Sequence, residues 1–222
     1  PGFIDFHCHL REPGFEVKET IATGTKAAAF GGYTTICCMP NTRPPLDSAE
    51  MIVTVKNIAE RDGMVQVLPI GCVTKGRKGK ALIYMEPLVK AGVIGFSDDG
   101  DPVKTAELMA EALEISKVFN LPIIDHCEES NGGPPEGEVK IVARDLELAE
   151  KPKGWVHIAH VSTAGAVELI RQAKKKGVRV TAEATPHHLL LTEEMIEKRG
   201  ALAKVKPPLS TEAARESQSG WA

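Results

Sequence analysis

The sequence predicts an α/β fold built from repeated strand–helix units. Short apolar segments rich in β-branched residues recur at intervals of roughly thirty residues, and amphipathic helical patterns lie between them. Most of these strand-like segments are apolar without interruption, which is typical of a parallel sheet covered by helices on both faces. A closed barrel and an open doubly wound sheet both satisfy this pattern.

Seven strand–helix units can be counted along the chain. The predicted strands begin near Gly2, Tyr33, Val65, Val93, Leu121, Trp155 and Val178. Asp47 or Ser48 can cap the second helix, and Thr163 can cap the helix that ends before Gly177. A complete (β/α)8 barrel typically needs about 250 residues, and no eighth strand is recognisable after Thr192. A barrel of this sequence is therefore expected to be one unit short.

The domain organisation predicted from the sequence is one domain over residues 1–209, followed by a polar tail of uncertain assignment over 210–222. The segment 130–137 contains turn-forming residues without periodic apolar positions, which predicts a mobile loop or a junction where residues are missing. The chain begins at Pro1 and opens directly into strand-like sequence. We therefore expect it to be the middle of a longer polypeptide.

Composition excludes several classes of function. The 222 residues are 42% hydrophobic and 26% charged, and the formal net charge of -3 gives no basic surface for nucleic acid. No segment approaches the ~18 consecutive apolar residues of a membrane span. The five cysteines form no CxxC pair, which favours a reducing cytoplasm. The expected partner is a small molecule or another protein.

Polar residues suited to metal binding follow several predicted strands. In a parallel barrel, catalytic groups lie at the carboxyl ends of the strands, where the following loops converge. Alternate residues of a strand point to the same side, so a His-x-His pair can bind one ion. His187 and His188 lie in a Thr-Pro-His-His segment that we predict to be a loop, and we interpret these two residues and His157 as structural or supporting residues. The residues at strand ends are His7, His9, Asn41, Asp99, His126 and His160.

Five motifs in order resemble those of the dihydroorotases, cyclic amidohydrolases of the amidohydrolase superfamily. The first is Asp-Phe-His-Cys-His-Leu-Arg-Glu-Pro-Gly over 5–14, followed by Lys18-Glu19-Thr20. The others are Met-Pro-Asn-Thr over 39–42, Phe-Ser-Asp-Asp-Gly over 96–100, Asp-His-Cys-Glu over 125–128 and His-Ile-Ala-His-Val-Ser-Thr over 157–163. The resemblance extends from residue 1 to about residue 209.

This resemblance implies a (β/α)8 TIM-type barrel, here apparently incomplete, and a hydrolase that interconverts dihydroorotate and N-carbamoyl-L-aspartate in pyrimidine biosynthesis. It implies one or two Zn²⁺ ions. Arg11 and Asn41 are the implied contacts to the substrate carboxylate, and the planar guanidinium of arginine suits a bidentate contact. The implied metal ligands are His7, His9, Asp99, His126 and His160.

The sequence departs from the family pattern at its eighth strand and at Lys206, and two further residues leave the set of metal ligands open. The family has a catalytic aspartate in an Asp-His-Ala-Pro-His motif on its eighth strand, and this motif is absent here, so no catalytic residue is assigned. Losing that proton-transfer group would cost roughly 10²–10⁴ in rate, and we interpret the sequence as incomplete. Lys206 stands where the family usually has Asn. Asp99 stands where many superfamily members have a carboxylated lysine, with Asp98 as an alternative ligand, and Cys127 could also reach the metal.

Two alternatives share much of this pattern. One is a cyclic amidohydrolase of the hydantoinase or allantoinase type, which Arg11 and Asn41 argue against because hydantoins lack a carboxylate. The other is a non-catalytic subunit that supports aspartate carbamoyltransferase. The resemblance implies a homo-oligomer as well as this partner.

Overall fold

The computed structural model describes residues 1–129 and 135–218. Within these residues, seven strands alternate with helices, as the sequence predicts. The strands are β1 (Phe3–Cys8), β2 (Tyr33–Cys38), β3 (Gln66–Pro69), β4 (Phe96–Ser97), β5 (Ile123–Asp125), β6 (Val156–Ile158) and β7 (Val180–Ala182).

The helices follow the strands, and several of them begin at side-chain caps. The hydroxyls of Ser48, Thr105 and Thr163 each accept a backbone N–H three residues later, so Ser48 is the cap of the second helix. Two short 3-10 turns lie at Lys75–Arg77 and Gly200–Ala203. The helices are α1 (Ile21–Phe30), α2 (Ala49–Asp62), α3 (Met85–Ala91), α4 (Ala106–Phe119), α5 (Pro135–Glu150), α6 (Ala164–Lys175), α7 (Pro186–Leu190), α8 (Glu194–Arg199) and α9 (Glu212–Gln218).

The strands are parallel neighbours in chain order. They pair as β1-β2-β3 and as β4-β5-β6-β7. A bridge between Gly71 and Phe96 joins the two groups, and the N–H of Ser97 donates to the Gly71 carbonyl at 2.8 Å. The result is one row of seven strands whose carboxyl ends lie at the same edge.

Both faces of the row are buried along its central strands, whereas much of β1 is exposed. Ile36 and Ile123 belong to the large core between the strands and the helices, whereas Cys37 and Ile124 belong to a smaller apolar cluster with Ala159 on the other face. Successive residues of a strand point to opposite faces. Burial on both faces therefore explains why the strand segments are apolar without interruption.

Two local predictions are corrected by the structure. Helix α5 begins at Pro135, so the prediction of a loop over 130–137 is wrong for residues 135–137. Residues 130–134 of that predicted loop lie outside the described residues. Residues 186–190 form helix α7 and not a loop, because Thr185 caps the helix and Pro186 fits its first turn. The polar tail contains α9, which packs on α6 and α7. The domain boundary at 209 stays a prediction.

No helix within the described parts of the chain is long and apolar enough to cross a membrane.

Candidate metal centre and cleft

Five side chains that the sequence places at strand ends lie together at one cleft of about 790 Å³. They come from four different strands: β1 carries two, and β4, β5 and β6 carry one each. Because the strands are parallel and adjacent, their carboxyl ends direct these side chains to one place. The five are His7, His9, Asp99, His126 and His160.

The five residues form two groups that share Asp99. In the first group, Nε2 of His7 lies 3.4 Å from Asp99 Oδ1 and Nε2 of His9 lies 3.4 Å from Oδ2. In the second, Nδ1 of His126 and Nε2 of His160 lie 3.5 and 3.4 Å from Oδ1. These two imidazole nitrogens are 2.8 Å apart. Asp99 thus stands between two pairs of histidines.

The donor set fits a divalent cation. Asp99 is 2% exposed, and its Oδ1 has no hydrogen-bond partner among the described residues although three imidazole nitrogens lie 3.4–3.5 Å away. A buried carboxylate oxygen normally has a partner. Imidazole nitrogens and carboxylate oxygens are the ligands of zinc and related transition metals.

Charge at the site is governed by burial and by these close contacts. Burial alone would raise the pKa of Asp99, but the imidazoles of His126, His160 and His7 hold that pKa well below its usual range. Burial would lower the pKa of His7, but Asp99 and Glu183 together raise it to about 10. For His9, burial dominates and lowers the pKa to about 4. Asp99 is therefore ionised, as a metal ligand must be.

Three further side chains hold the histidines in orientation. The Nδ1 of His9 lies 3.1 Å from Asn41 Oδ1, and His126 Nε2 lies 3.0 Å from Glu128 Oε2. The Nδ1 of His7 lies 2.6 Å from Glu183 Oε1. The sequence motifs assign no role to Glu128 and do not include Glu183, although Glu183 directly follows β7. The search for polar residues at the ends of predicted strands, which identified the histidines, would also have identified Glu183.

The predicted substrate contacts line the same cleft. Arg11 follows His9 and has a φ of 63°, which is unusual for a residue with a Cβ atom. Asn41 follows β2 and its amide nitrogen lies 3.4 Å from the backbone carbonyl oxygen of Asp99. Lys206, at the position where the family usually has Asn, also lines the cleft. Such strained or charged positions concentrate at binding sites.

Comparison with known families agrees with this geometry. A family model described as Dihydro-orotase-like matches residues 1–140, more than half of the chain. The chain belongs to the dihydroorotase-like family. It is 49% identical over 230 residues to the dihydroorotase of Thermoanaerobacter sp. (strain X514), covering 95% of this chain and 53% of the relative. The dihydroorotase of Acetivibrio thermocellus is 48% identical over 230 residues, with 95% and 54% covered.

This dihydroorotase-like chain spans about half the length of the curated relatives it matches. Among solved structures, it resembles the L-hydantoinase (dihydropyrimidinase) from Arthrobacter aurescens with a TM-score of 0.87 and 22% identity, covering 98% of this chain and 54% of that one. A D-hydantoinase structure gives a TM-score of 0.84 at 24% identity, with the same coverage. These likenesses confirm the predicted α/β barrel fold, here with an incomplete barrel.

Asp98, the alternative ligand, faces away from the cluster. Its carboxylate accepts the backbone N–H groups of Val73 and Thr74 at 3.0 and 3.1 Å, and the Thr74 hydroxyl also donates to it. Asp98 therefore ties the end of β4 to the segment after β3. This leaves the adjacent Asp99 side chain directed at the histidines.

Cys127 also lies apart from the histidine cluster. Its Sγ is 3.6 Å from Asp145 Oδ2 and 3.8 Å from Asp125 Oδ2, in a third buried group of residues that could in principle bind metal. The guanidinium of Arg144 lies 2.7 Å from Asp145 and 3.4 Å from Asp125. Burial raises the pKa of both carboxyls, and the nearby Asp145 raises that of Asp125 further, so the pair keeps a proton and the single Arg144 cation balances the remaining charge. The group is therefore a buried ionic cluster, and Cys127 is part of its packing.

The backbone at His160 is held by a buried carboxylate. His160 has a φ of 34°, an unfavourable value for a residue other than glycine. Two residues later, the backbone N–H groups of Ser162 and Thr163 each donate to Glu138 Oε1 at 3.0 Å, and both hydroxyls donate to the same carboxylate. Glu138 thereby fixes the turn that presents His160 to the cleft.

Proposed function

We propose that this chain carries the metal centre of a dihydroorotase, which interconverts dihydroorotate and N-carbamoyl-L-aspartate in pyrimidine biosynthesis. The observation that carries the proposal is the convergence of four histidines and Asp99 on one cleft, beside Arg11 and Asn41. Identity of 48–49% to proteins named dihydroorotase supports the choice of substrate.

We propose that the centre holds two Zn²⁺ ions. His7 and His9 would hold one ion, His126 and His160 would hold the other, and Asp99 belongs to both groups. In each group the imidazole nitrogens lie 3.4–3.5 Å from an Asp99 oxygen, so the carboxylate and the imidazoles are close enough to act on one ion.

The protein's own residues would orient the substrate against this centre. Bound zinc supplies Lewis-acid chemistry, polarising the cyclic amide and raising the acidity of water. Arg11 would hold the substrate carboxylate with its planar guanidinium, and the Asn41 amide would add a donor beside it. Both residues lie on the same cleft as the histidines, so one small substrate reaches both.

On the family resemblance, we further propose a cytoplasmic homo-oligomer that associates with aspartate carbamoyltransferase. Size-exclusion chromatography with light scattering, alone and with purified aspartate carbamoyltransferase, tests both associations. A monomer that does not shift in the mixture would contradict them.

The substrate proposal is tested by measuring the binding of dihydroorotate and of hydantoin to the zinc-loaded chain by isothermal titration calorimetry, because no proton-transfer aspartate for turnover is assigned in this sequence. We expect dihydroorotate to bind, and we expect Arg11→Lys to raise its Kd about 10- to 100-fold, because a charged hydrogen bond is lost. Arg61→Gln, on an exposed face of α2, is the matched control and should leave Kd unchanged. Binding of hydantoin alone would favour the hydantoinase alternative. Zinc binding without affinity for either compound would favour a non-catalytic subunit.

A further inference from the structure

We propose that Glu183 and His157 are positioning residues that orient His7, so that its Nε2 faces the metal centre. This inference rests on the proposed zinc centre. It assigns a role to a carboxylate on β7 and to a histidine on β6 that neither the motif pattern nor the comparisons provide.

Glu183 has direct and rigid contact with His7. Its Oε1 lies 2.6 Å from Nδ1 of His7, while Nε2 of the same ring lies 3.4 Å from Asp99. The Glu183 backbone is hydrogen-bonded to the end of β6 and to the segment after it: its N–H donates to the Ile158 carbonyl, and its carbonyl accepts from the Val161 N–H. A carboxylate accepting the Nδ1 proton leaves the Nε2 lone pair available to an ion.

His157 lies beside the other oxygen of Glu183. Its Nε2 lies 3.4 Å from Glu183 Oε2, longer than a normal hydrogen bond, and has no hydrogen-bond partner among the described residues. Its Nδ1 lies 2.8 Å from the Thr181 hydroxyl, and the indole N–H of Trp155 donates to the same hydroxyl at 3.0 Å, which leaves the hydroxyl proton available to Nδ1. In the tautomer that accepts this proton, the Nε2–H of His157 faces the Glu183 carboxylate.

The contacts form one series from Trp155 through Thr181, His157 and Glu183 to His7. The ring of His157 is itself fixed, because it stacks on Phe6 of β1 with centroids 6.2 Å apart. The series therefore links β6, β7 and β1 at the point where the first metal-binding group is formed. A carboxylate held this firmly restricts the orientation of the imidazole it accepts from.

The second metal-binding group offers a matched comparison. Glu128 contacts Nε2 of His126 at 3.0 Å, just as Glu183 contacts Nδ1 of His7. If each carboxylate positions its own histidine, removing one carboxylate should weaken zinc binding at that histidine and leave zinc binding in the other group unchanged.

The test is zinc titration against a competing chelator, with stoichiometry from native mass spectrometry. We expect Glu183→Ala to weaken the binding of the zinc ion at His7 and His9 about 10- to 100-fold, and we expect smaller losses of affinity in Glu183→Gln and His157→Phe. Glu128→Gln should weaken the binding of the other zinc ion, at His126 and His160. Glu197→Gln, an exposed carboxylate on α8, should change neither.

Two double variants show which zinc ion Glu183 affects. When His160→Ala is already present, the ion at His7 and His9 remains, and adding Glu183→Gln should lower its affinity as much as in the wild-type chain. When His9→Ala is already present, adding Glu183→Gln should change no zinc affinity. Equal weakening of both ions, an unchanged Glu183→Gln, or an effect that persists in His9→Ala would overturn the positioning role while leaving the zinc centre intact. A wild-type chain that binds no zinc would instead overturn the proposed centre, and this inference with it.

Discussion

The Nδ1–H of His9 donates to Oδ1 of Asn41 at 3.1 Å, while the amide nitrogen of Asn41 lies 3.4 Å from the Asp99 carbonyl. Asn41 thus contacts two members of the first metal-binding group. The resemblance to dihydroorotases implies a contact from Asn41 to substrate, and the structure gives it a supporting contact as well.

Two substitutions separate these roles of Asn41. Asn41→Asp keeps an acceptor for His9 but places a negative charge near the substrate carboxylate, so we expect zinc affinity to be retained and the Kd for dihydroorotate to rise. Asn41→Ala removes the acceptor, and zinc affinity should fall about tenfold. Zinc titration and isothermal titration calorimetry on both variants measure this. Equal zinc affinity in Asn41→Ala and wild type would exclude the supporting role.

Glu138 should be a major contributor to stability. Glu138→Ala leaves the N–H groups of Ser162 and Thr163 and both hydroxyls without their buried acceptor, and each lost hydrogen bond to a charged group is worth about 1.5–3 kcal/mol. We expect the free energy of unfolding to fall by about 3 kcal/mol or more, measured by urea denaturation. Glu136→Ala, exposed in the first turn of the same helix, should cost less than about 1 kcal/mol. Similar losses of unfolding free energy in Glu138→Ala and Glu136→Ala would contradict the stabilising role of the Glu138 hydrogen bonds.

His188 should make stability depend on pH. Burial lowers its pKa from 6.5 to about 4, and both ring nitrogens are used, by Thr185 and by the Pro207 carbonyl. The unfolded chain binds a proton below pH 6.5 that the native chain does not bind until about pH 4. This contribution is therefore complete above pH 6.5 and is lost as the pH falls towards 4, by on the order of 3 kcal/mol. Thermal melts from pH 8 to pH 4 should show a shallower decline for His188→Gln than for wild type, and parallel curves would contradict the assignment.

The bridge between β3 and β4 depends on a glycine. A Cβ atom at Gly71 would lie 2.7 Å from Leu88 Cδ2 and 3.3 Å from Phe96 Cδ1, both in the buried core. We expect Gly71→Ala to cost about 1–3 kcal/mol by overpacking. In a Leu88→Ala background the added methyl group has room, so its cost measured by urea unfolding should shrink. A cost that does not change in that background would show that the clash is not with Leu88.

Much of the fold and most of the candidate site could be predicted because both depend on local periodicity. Strand segments that end in His7, His126 and His160 are legible from hydrophobicity, and parallel strands bring their ends together without further information. Asp98 and Asp99 could not be separated in this way. The structure separates them, because the backbone N–H of Thr74, in the segment after β3, donates to Asp98 and so shows that Asp98 is the carboxylate used for packing.

Other features depend on contacts between distant segments. Glu183 contacts His7 across 176 residues of chain, and Glu138 on α5 reaches Ser162 in the segment between β6 and α6. Neither pairing leaves a periodic signal in the sequence. Helix α7 has five residues, too few for a hydrophobic period, so a loop was predicted there.

The central claim is that Asp99 is shared by two zinc ions. Native mass spectrometry of the zinc-saturated chain, with and without Asp99→Ala, tests it most directly. We predict two zinc ions per wild-type chain and weakened binding of both in the variant, since each group loses its only carboxylate. A wild-type chain that saturates at one ion, or an Asp99→Ala chain that still binds two ions with wild-type affinity, would contradict the claim.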